Sequence, residues 1–276
     1  MNILITNDDS HRSPLLEIVV NYFSQFGDVS IVVPLHEQSW TGKCVTRFTP
    51  VHVHEIEVFG RKALAVDGKP ADCVNIGIHN LLDKKPDLVV SGINAGFNIG
   101  LGFVLSSGTV GACFEANLAG IPAIAVSQAF DVATRNRYIA EYMIEPDRVA
   151  IFEQHSRTIL DRLTSIFFAD GHKDEFLSSP LTWNINLPFN LTDPRTVVHV
   201  PLSKTRYGRC FAEQDRIDEG PIRTFTLDKV EEVPDPNPHG DAVMVRSGVA
   251  TLCPVNIWGL SGESEGEIVK RVVSAL

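Results

Sequence analysis

Two adjacent carboxylates lie near the start of the chain, where the mostly apolar run NILIT leads into Asn7, Asp8 and Asp9. At ~4 Å and an effective dielectric of about 20, two such charges repel each other by ~4 kcal/mol. A divalent cation bound between them would reverse the sign of that interaction, and oxygen ligands suit Mg²⁺, Mn²⁺ or Ca²⁺. The alternative is a solvated turn in which one aspartate caps the following helix.

Two later segments carry groups that could hold an anion. Segment 91–100, SGINAGFNIG, places the amides of Asn94 and Asn98 among glycines, which allow the backbone to approach a ligand closely. Segment 106–116, SSGTVGACFEA, predicts a helix start, where hydroxyls and free N–H groups favour an anion. Ordinary turns and N-caps are the alternative for either segment alone.

The elements around these residues alternate between apolar strands and helical patterns. Strands are predicted at 2–6, 29–33, 62–66, 87–91 and 122–126, and helices after Pro14, at 70–83 and at 107–119. Continuous apolar strands alternating with helices predict a three-layer, Rossmann-like α/β fold with a mostly parallel sheet. Ligands of such folds bind beyond the carboxyl ends of the strands, which is where Asp8 and Asp9 lie.

The second half of the chain carries weaker patterns. Its predicted elements are a helix at 147–168, strands at 184–187 and 196–200, and an amphipathic helix at 267–276. The acidic, proline-punctuated stretch 210–240 predicts an exposed loop, or an extended arm near 205–240. We interpret residues 1–276 as one domain, in which 1–130 form the core with the site and 131–276 add the remaining sheet, the arm and the terminal helix.

Composition excludes several functional classes. With a net charge of −10 and a pI of about 5.3, the chain lacks the basic stripe that binding of a nucleic-acid polymer requires. No apolar run approaches the ~20 residues of a membrane helix, and no signal-peptide pattern is present. Five cysteines without a CxxC pair predict free thiols in a reducing compartment, and hence a cytoplasmic location.

Other nucleotide-binding and hydrolase motifs are missing. GxGxxG is absent, which argues against an NAD-dependent oxidoreductase. Gly42-Lys43 does not complete a P-loop, since Glu37 stands where the first glycine belongs and Cys44 replaces the serine or threonine. There is no GxSxG nucleophile elbow.

The combined motifs resemble the SurE family of survival proteins, which are divalent-metal nucleotidases. NDDS at 7–10 is similar to the family's NDDG, SGxNxGxNxG is met in full at 91–100, and most of YSGTVGAAxEG is met at 106–116. The segment VVPLHEQSW puts Ser39 where the family has a metal-binding serine. Residues 120–127, 184–188 and 240–254 match more loosely.

The resemblance implies roles for eight residues. The implied ligands of one Mg²⁺ or Mn²⁺ per subunit are Asp8, Asp9, Ser39 and Asn94, and the implied phosphate-binding residues are Asn98, Ser107, Gly108 and Thr109. The implied activity is hydrolysis of nucleoside monophosphates to nucleoside and phosphate, as in a 5′-nucleotidase. Our mechanistic hypothesis is that Asp8 or Asp9 orients the attacking water or takes its proton. The family forms homodimers or homotetramers through exchanged C-terminal arms, for which 210–240 and the C-terminal helix are candidates.

Four positions depart from the family pattern, and the segment LGFVLS at 101–106 lacks the acidic residues common there in the family. Ser10, Trp40 and Ala116 stand where the family has glycine, and Ser106 replaces its tyrosine. No expected metal ligand is lost, and the changes fall where the substrate would lie. A non-catalytic nucleotide- or metal-binding subunit is therefore the alternative function, with Trp40 and Ser106 marking a repurposed pocket.

Overall fold

The computed structural model describes residues 1–214, 223–228, 230–261 and 267–276. Its strands are β1 (Asn2–Thr6), β2 (Asp28–Pro34), β3 (Val53–Val58), β4 (Arg61–Val66), β5 (Leu88–Ala95), β6 (Ala123–Gln128), β7 (Thr182–Leu187), β8 (Val197–His199), β9 (Arg206–Tyr207), β10 (Phe211–Glu213), β11 (Phe225–Leu227), β12 (Glu232–Val233) and β13 (Ala250–Val255). Its α-helices are α1 (Pro14–Phe23), α2 (Pro70–Ile76), α3 (Gly100–Ser106), α4 (Gly108–Leu118), α5 (Val132–Glu141), α6 (Pro146–Phe167), α7 (Lys173–Ser178), α8 (Asp241–Arg246) and α9 (Glu267–Ala275).

Nine strands form one sheet in the order β3-β4-β2-β1-β5-β6-β7-β13-β8. β1 lies in its middle and pairs in parallel with both β2 and β5. β3 and β13 run antiparallel to β4 and β7, while the pairs β5–β6, β6–β7 and β13–β8 are parallel. The predicted α/β fold with a mostly parallel sheet is confirmed, and the sheet continues well past residue 130.

Apolar side chains on both faces of the sheet explain the continuous apolar strands. In β1, Ile3 and Ile5 belong to the core cluster packed by α1 and α6, whereas Leu4 belongs to the cluster packed by α2 and α4. Successive strand residues point to opposite faces, so a strand covered on both sides must be apolar throughout. Three helices begin with a proline, which costs nothing there because the first N–H groups have no partner within the helix.

The segment after residue 87 differs from the prediction. β5 does not end at Ser91 but continues to Ala95, with an irregular register between Ser91 and Asn94, after which Asn94 pairs with Ser127. The peptide bond between Gly92 and Ile93 is cis. The glycine-rich segment therefore begins as an irregular strand rather than as a loop, because pairing with β6 resumes beyond the irregularity.

Several boundaries and elements were also not predicted. The helix expected at 70–83 ends at Ile76 and continues as a π-helical turn, Gly77–Leu81. The helices α3 and α5 were missed, because short or largely exposed elements carry little apolar periodicity. A 3₁₀ helix spans Ile257–Ser261.

The region predicted to form an arm contains two small antiparallel sheets, β9–β12 and β10–β11. Part of the prediction for 210–240 falls on 215–222 and 229, outside the described residues. The predicted terminal helix is α9, and its Val269 and Val272 are buried in the core cluster that also contains α6 residues. Its role in assembly stays a prediction.

Two further properties bear on the cellular setting. No disulfide joins any of the five cysteines, all of which lie in the described part of the chain. Within the described ranges, no helix has both the length and the apolar character needed to cross a bilayer. The cytoplasmic location stays a prediction.

Candidate active site

The two aspartates of the opening motif lie in a turn directly beyond β1. Asn7 Nδ2 donates to the carbonyl oxygen of Ser10 at 2.8 Å, which closes this turn. Ser10 has φ +70°, in the left-handed region that glycine adopts most easily. Asp8 and Asp9 are each only 3% exposed, and the N-cap residue of α1 is Ser13. The interpretation as a solvated turn with a capping aspartate is therefore wrong.

Each buried carboxylate accepts a hydrogen bond from a different element. Thr109 Oγ1 donates to Asp8 Oδ1 at 2.6 Å, and the Ala95 N–H donates to Asp9 Oδ2 at 2.8 Å. Burial raises the pKa of Asp8 to about 6, and the charge of Glu37 adds to the rise. Burial, and next the charge of Asp8, hold the pKa of Asp9 well above its ordinary value. Burial thus disfavours the ionised form of both carboxyl groups, and at Asp9 the charge of Asp8 adds to this effect.

The N-terminus of α4 lies against the first aspartate. Ser107 is the N-cap residue, and its Oγ accepts a hydrogen bond from the Val110 N–H at 3.1 Å. A Cβ atom on Gly108 would lie 2.9 Å from Asp8 Cβ and 2.9 Å from the Gln38 carbonyl oxygen. Only glycine fits this position without a shift, so the helix start is placed directly beside the carboxylate.

Asn98 is held by polar side chains from the neighbouring strands. Its Nδ2 donates to Ser127 Oγ at 2.9 Å, and its backbone N–H donates to Asn186 Oδ1 at 2.8 Å. Asn184 Nδ2 donates to the Asn98 carbonyl oxygen at 2.8 Å. Sequence reasoning did not assign roles to Asn184 and Asn186. The sequence feature that could have identified them is a pair of amide side chains two positions apart in the fully buried strand β7, a spacing that places both on one face.

These elements surround a cleft of about 170 Å³. Five of the eight predicted site residues line it: Asp8, Ser39, Asn94, Asn98 and Ser107. The other three, Asp9, Gly108 and Thr109, are not among the lining residues, and both Gly108 and Thr109 contact Asp8. A larger cleft of about 490 Å³, lined by residues of β2, β3 and β4 and by Leu82, contains none of the eight.

The donor atoms at the cleft fit a hard divalent cation. In the described part of the chain, no group of three or more His, Cys, Asp or Glu residues could hold a metal ion. The available set at the cleft is instead the Asp8 carboxylate, the Ser39 hydroxyl and the Asn94 amide, with the buried Asp9 carboxylate on the next residue. Carboxylate, hydroxyl and amide oxygens are the ligands that Mg²⁺ and Mn²⁺ prefer.

Comparison with known families identifies the group of proteins to which this chain is related. The family profile described as "Survival protein SurE" matches residues 3–210. The chain belongs to the SurE family. Membership agrees with the placement of NDDS and SGINAGFNIG at the carboxyl ends of β1 and β5.

Curated SurE relatives match a little under half of this chain. The protein named 5′-nucleotidase SurE from Methanopyrus kandleri is 52% identical over 128 residues, which cover 46% of this chain and 49% of that protein. The protein of the same name from Geotalea daltonii is 50% identical over 127 residues, 46% of this chain and 50% of that protein. The chain thus spans about half the length of the curated relatives it matches.

A solved SurE structure supports the fold along nearly the whole chain. The crystal structure of the SurE protein from Aquifex aeolicus superimposes with a TM-score of 0.62, covering 95% of this chain and 100% of that one. The two sequences are 24% identical. This likeness therefore establishes the shared architecture.

Proposed function

We propose that this SurE protein is a divalent-metal-dependent phosphatase that hydrolyses nucleoside monophosphates to nucleoside and phosphate. The observation that carries the proposal is the buried Asp8–Asp9 pair at the carboxyl end of β1, beside the start of α4. The activity named for the relatives at about 50% identity, 5′-nucleotidase, supports the same reaction.

The metal site would be built from Asp8, Asp9, Ser39 and Asn94. When bound, Mg²⁺ or Mn²⁺ supplies Lewis-acid polarisation of a phosphoryl oxygen. Asp9 accepts the Ala95 N–H, which holds its carboxylate in one orientation. Three of the four residues line the cleft, so the donor atoms face the space that a phosphate ester would enter.

The phosphate would be bound between α4 and the β5–α3 segment. Ser107 and Asn98 line the cleft, and the first N–H groups of α4 have no acceptor within the helix. Such donors stabilise charge on the phosphoryl oxygens best when they are fixed before the reaction. We assign Thr109 to holding Asp8, since its hydroxyl donates to that carboxylate.

Asp8 is the group we assign to orienting the attacking water and accepting its proton. Asp8 lines the cleft, so its carboxylate is placed to contact a water there. We assign Asp9 a purely ligating role, because one of its carboxylate oxygens already accepts the Ala95 N–H.

The first test of the function is Asp8→Asn. With Mn²⁺ or Mg²⁺ saturating, phosphate release from AMP and from p-nitrophenyl phosphate should fall by roughly 10²- to 10⁴-fold, the range expected for loss of a general base. Asp28→Asn, an exposed aspartate at the start of β2, is the matched control and should retain wild-type rates. Near-normal turnover by Asp8→Asn would overturn the assignment. AMP binding without release by the wild type would favour the non-catalytic alternative.

We also propose that the protein assembles as a homodimer or homotetramer through the arm region. In the described part of the chain, the hairpin β10–β11 forms a two-stranded sheet of its own, separate from the nine-stranded sheet. A lone two-stranded hairpin is marginally stable in water, so a partner subunit would supply its missing packing.

A further inference from the structure

Three aromatic side chains from distant parts of the chain meet beside the cleft. Trp40 comes from the β2–β3 connection, Phe103 from α3 and Tyr207 from β9. The Trp40 ring centroid lies 5.9 Å from that of Phe103 and 5.1 Å from that of Tyr207, with interplanar angles of 71° and 62°. These edge contacts fix the indole, yet Trp40 remains 40% exposed. We call the three residues the aromatic cluster.

The aromatic cluster shares its cleft with the proposed phosphate site. Trp40 and Phe103 line the same space as Asp8, Asn98 and Ser107. One part of the lining is therefore polar, with helix N–H groups nearby, and another part is aromatic. A ligand that fits both parts carries an anionic group and a flat ring within a short distance of each other.

The backbone at Trp40 is held in an unfavourable conformation. Its φ is +63°, a region in which a bulky side chain is a genuine outlier. Backbone hydrogen bonds hold the connection on both sides of Trp40. The Gln38 N–H donates to the Asp8 carbonyl oxygen at 2.8 Å, and the Gly42 N–H donates to the Ser106 carbonyl oxygen at 2.9 Å. Strained conformations of this kind cluster at ligand sites, and here the strain places an indole beside the cleft before any ligand binds.

We propose that Trp40, supported by Phe103 and Tyr207, is the surface on which the base of a nucleoside monophosphate stacks. The inference rests on the proposed phosphatase function and adds the residue that selects base-containing esters over base-free sugar phosphates. Every base has an aromatic face, so stacking tolerates all of them. The selection is therefore strongest against substrates with no base.

The test compares AMP with ribose 5-phosphate as substrates of the wild type, Trp40→Ala and Trp40→Phe, with Mn²⁺ present. The ratio of kcat/KM for AMP to kcat/KM for ribose 5-phosphate should fall roughly tenfold in Trp40→Ala, as expected for loss of one stacked base. Trp40→Phe should restore most of the ratio, because it keeps an aromatic face. An unchanged ratio in Trp40→Ala, or an equal loss with both substrates, would overturn the proposal.

Phe59→Ala provides a matched control. Phe59 is also an aromatic residue with positive φ, +52°, and is 37% exposed, but it lies in the β3–β4 turn and does not line the cleft. Its substitution should leave the substrate ratio at the wild-type value. If Phe59→Ala lowered the ratio as much as Trp40→Ala, the effect would be general and the proposal would be wrong.

A binding measurement separates this proposal from the proposed function. Adenosine, which has no phosphate, should quench the tryptophan fluorescence of the wild type but not that of Trp40→Phe. If the wild type released phosphate from neither ester, the phosphatase function would fail, and Trp40-dependent quenching would still support the base surface. Phosphate release without such quenching would overturn the base surface alone.

Discussion

At the scale of single residues, the acidic pair is a destabilising feature that a cation would relieve. Asp8 and Asp9 are buried, and the charge of Asp8 contributes to raising the pKa of Asp9. A carboxyl group that is harder to ionise in the folded state than in the unfolded state weakens folding as the pH rises. The metal-free protein should therefore show a pH dependence that originates at this site.

The folded-state pKa of Asp8 is about 6, above the unfolded value of about 4. Between pH 4 and pH 6, Asp8 is protonated more often in the folded protein than in the unfolded chain. The contribution of Asp8 to the free energy of unfolding is therefore present at low pH and is lost as the pH rises through 6. From pH 5 to pH 7.5, the free energy of unfolding of wild type in EDTA should fall relative to Asp8→Asn by about 1 kcal/mol. Urea denaturation of both proteins at the two pH values measures the difference, and parallel profiles would contradict this origin.

At the scale of elements, one buried carboxylate joins three segments around the site. The Asp241 carboxylate, at the start of α8, accepts the N–H groups of Gly100 and Ser203, each at 2.9 Å, and that of Ala242 at 2.8 Å. Asp241 is fully buried. It therefore fixes the start of α3, two residues beyond Asn98, relative to the second half of the chain.

Asp241→Ala should lower the free energy of unfolding by roughly 3 kcal/mol, because it leaves buried N–H groups without an acceptor. Hydrogen exchange at Gly100 and Ser203 should become faster, and the urea midpoint should fall. Asp235→Ala is the control: Asp235 accepts the N–H of exposed Lys204 at 2.6 Å, and water can replace that bond. An equal fall in the free energy of unfolding in both variants would show that the burial of Asp241 does not account for its contribution to stability.

At the scale of the whole molecule, the arm region exposes apolar surface. On the hairpin β10–β11, Phe211, Phe225 and Leu227 are between 49% and 58% exposed, and Phe211 pairs with Leu227 across the strands. By contrast, the buried valines of α9 already pack within their own chain. The hairpin is therefore the part of the arm region that we expect to contact a second subunit.

Phe211→Asp should shift the protein from dimer or tetramer toward monomer, since it places a charge in an apolar contact. Light scattering after size exclusion, across micromolar concentrations, measures the change. Leu260→Asp, at a side chain that is 91% exposed in the 3₁₀ helix, should leave the size unchanged. A wild type that is monomeric throughout this range would refute the assembly proposal.

Local patterns in the sequence were enough for most strands of the sheet, the main helices and the positions of the polar motifs at the ends of β1 and β5 and the start of α4. Apolar periodicity encodes which faces are covered, and prolines and N-cap residues mark helix starts. The role of Ser39 came from family resemblance, because an isolated serine after a strand has no distinguishing local pattern. Its position lining the cleft with Asp8 follows from how the β2–β3 connection folds back.

Tertiary structure alone decided the burial of the acidic pair, the support of Asn98 by Asn184 and Asn186, and the meeting of Trp40, Phe103 and Tyr207. These features join residues that are about 60 to 170 positions apart in the chain. Periodicity describes one element at a time, whereas such contacts depend on the order of the strands in the sheet and on the paths of the connections between them. For that reason the sequence determined which chemical groups are available, and the folded arrangement decided which of them share a cleft.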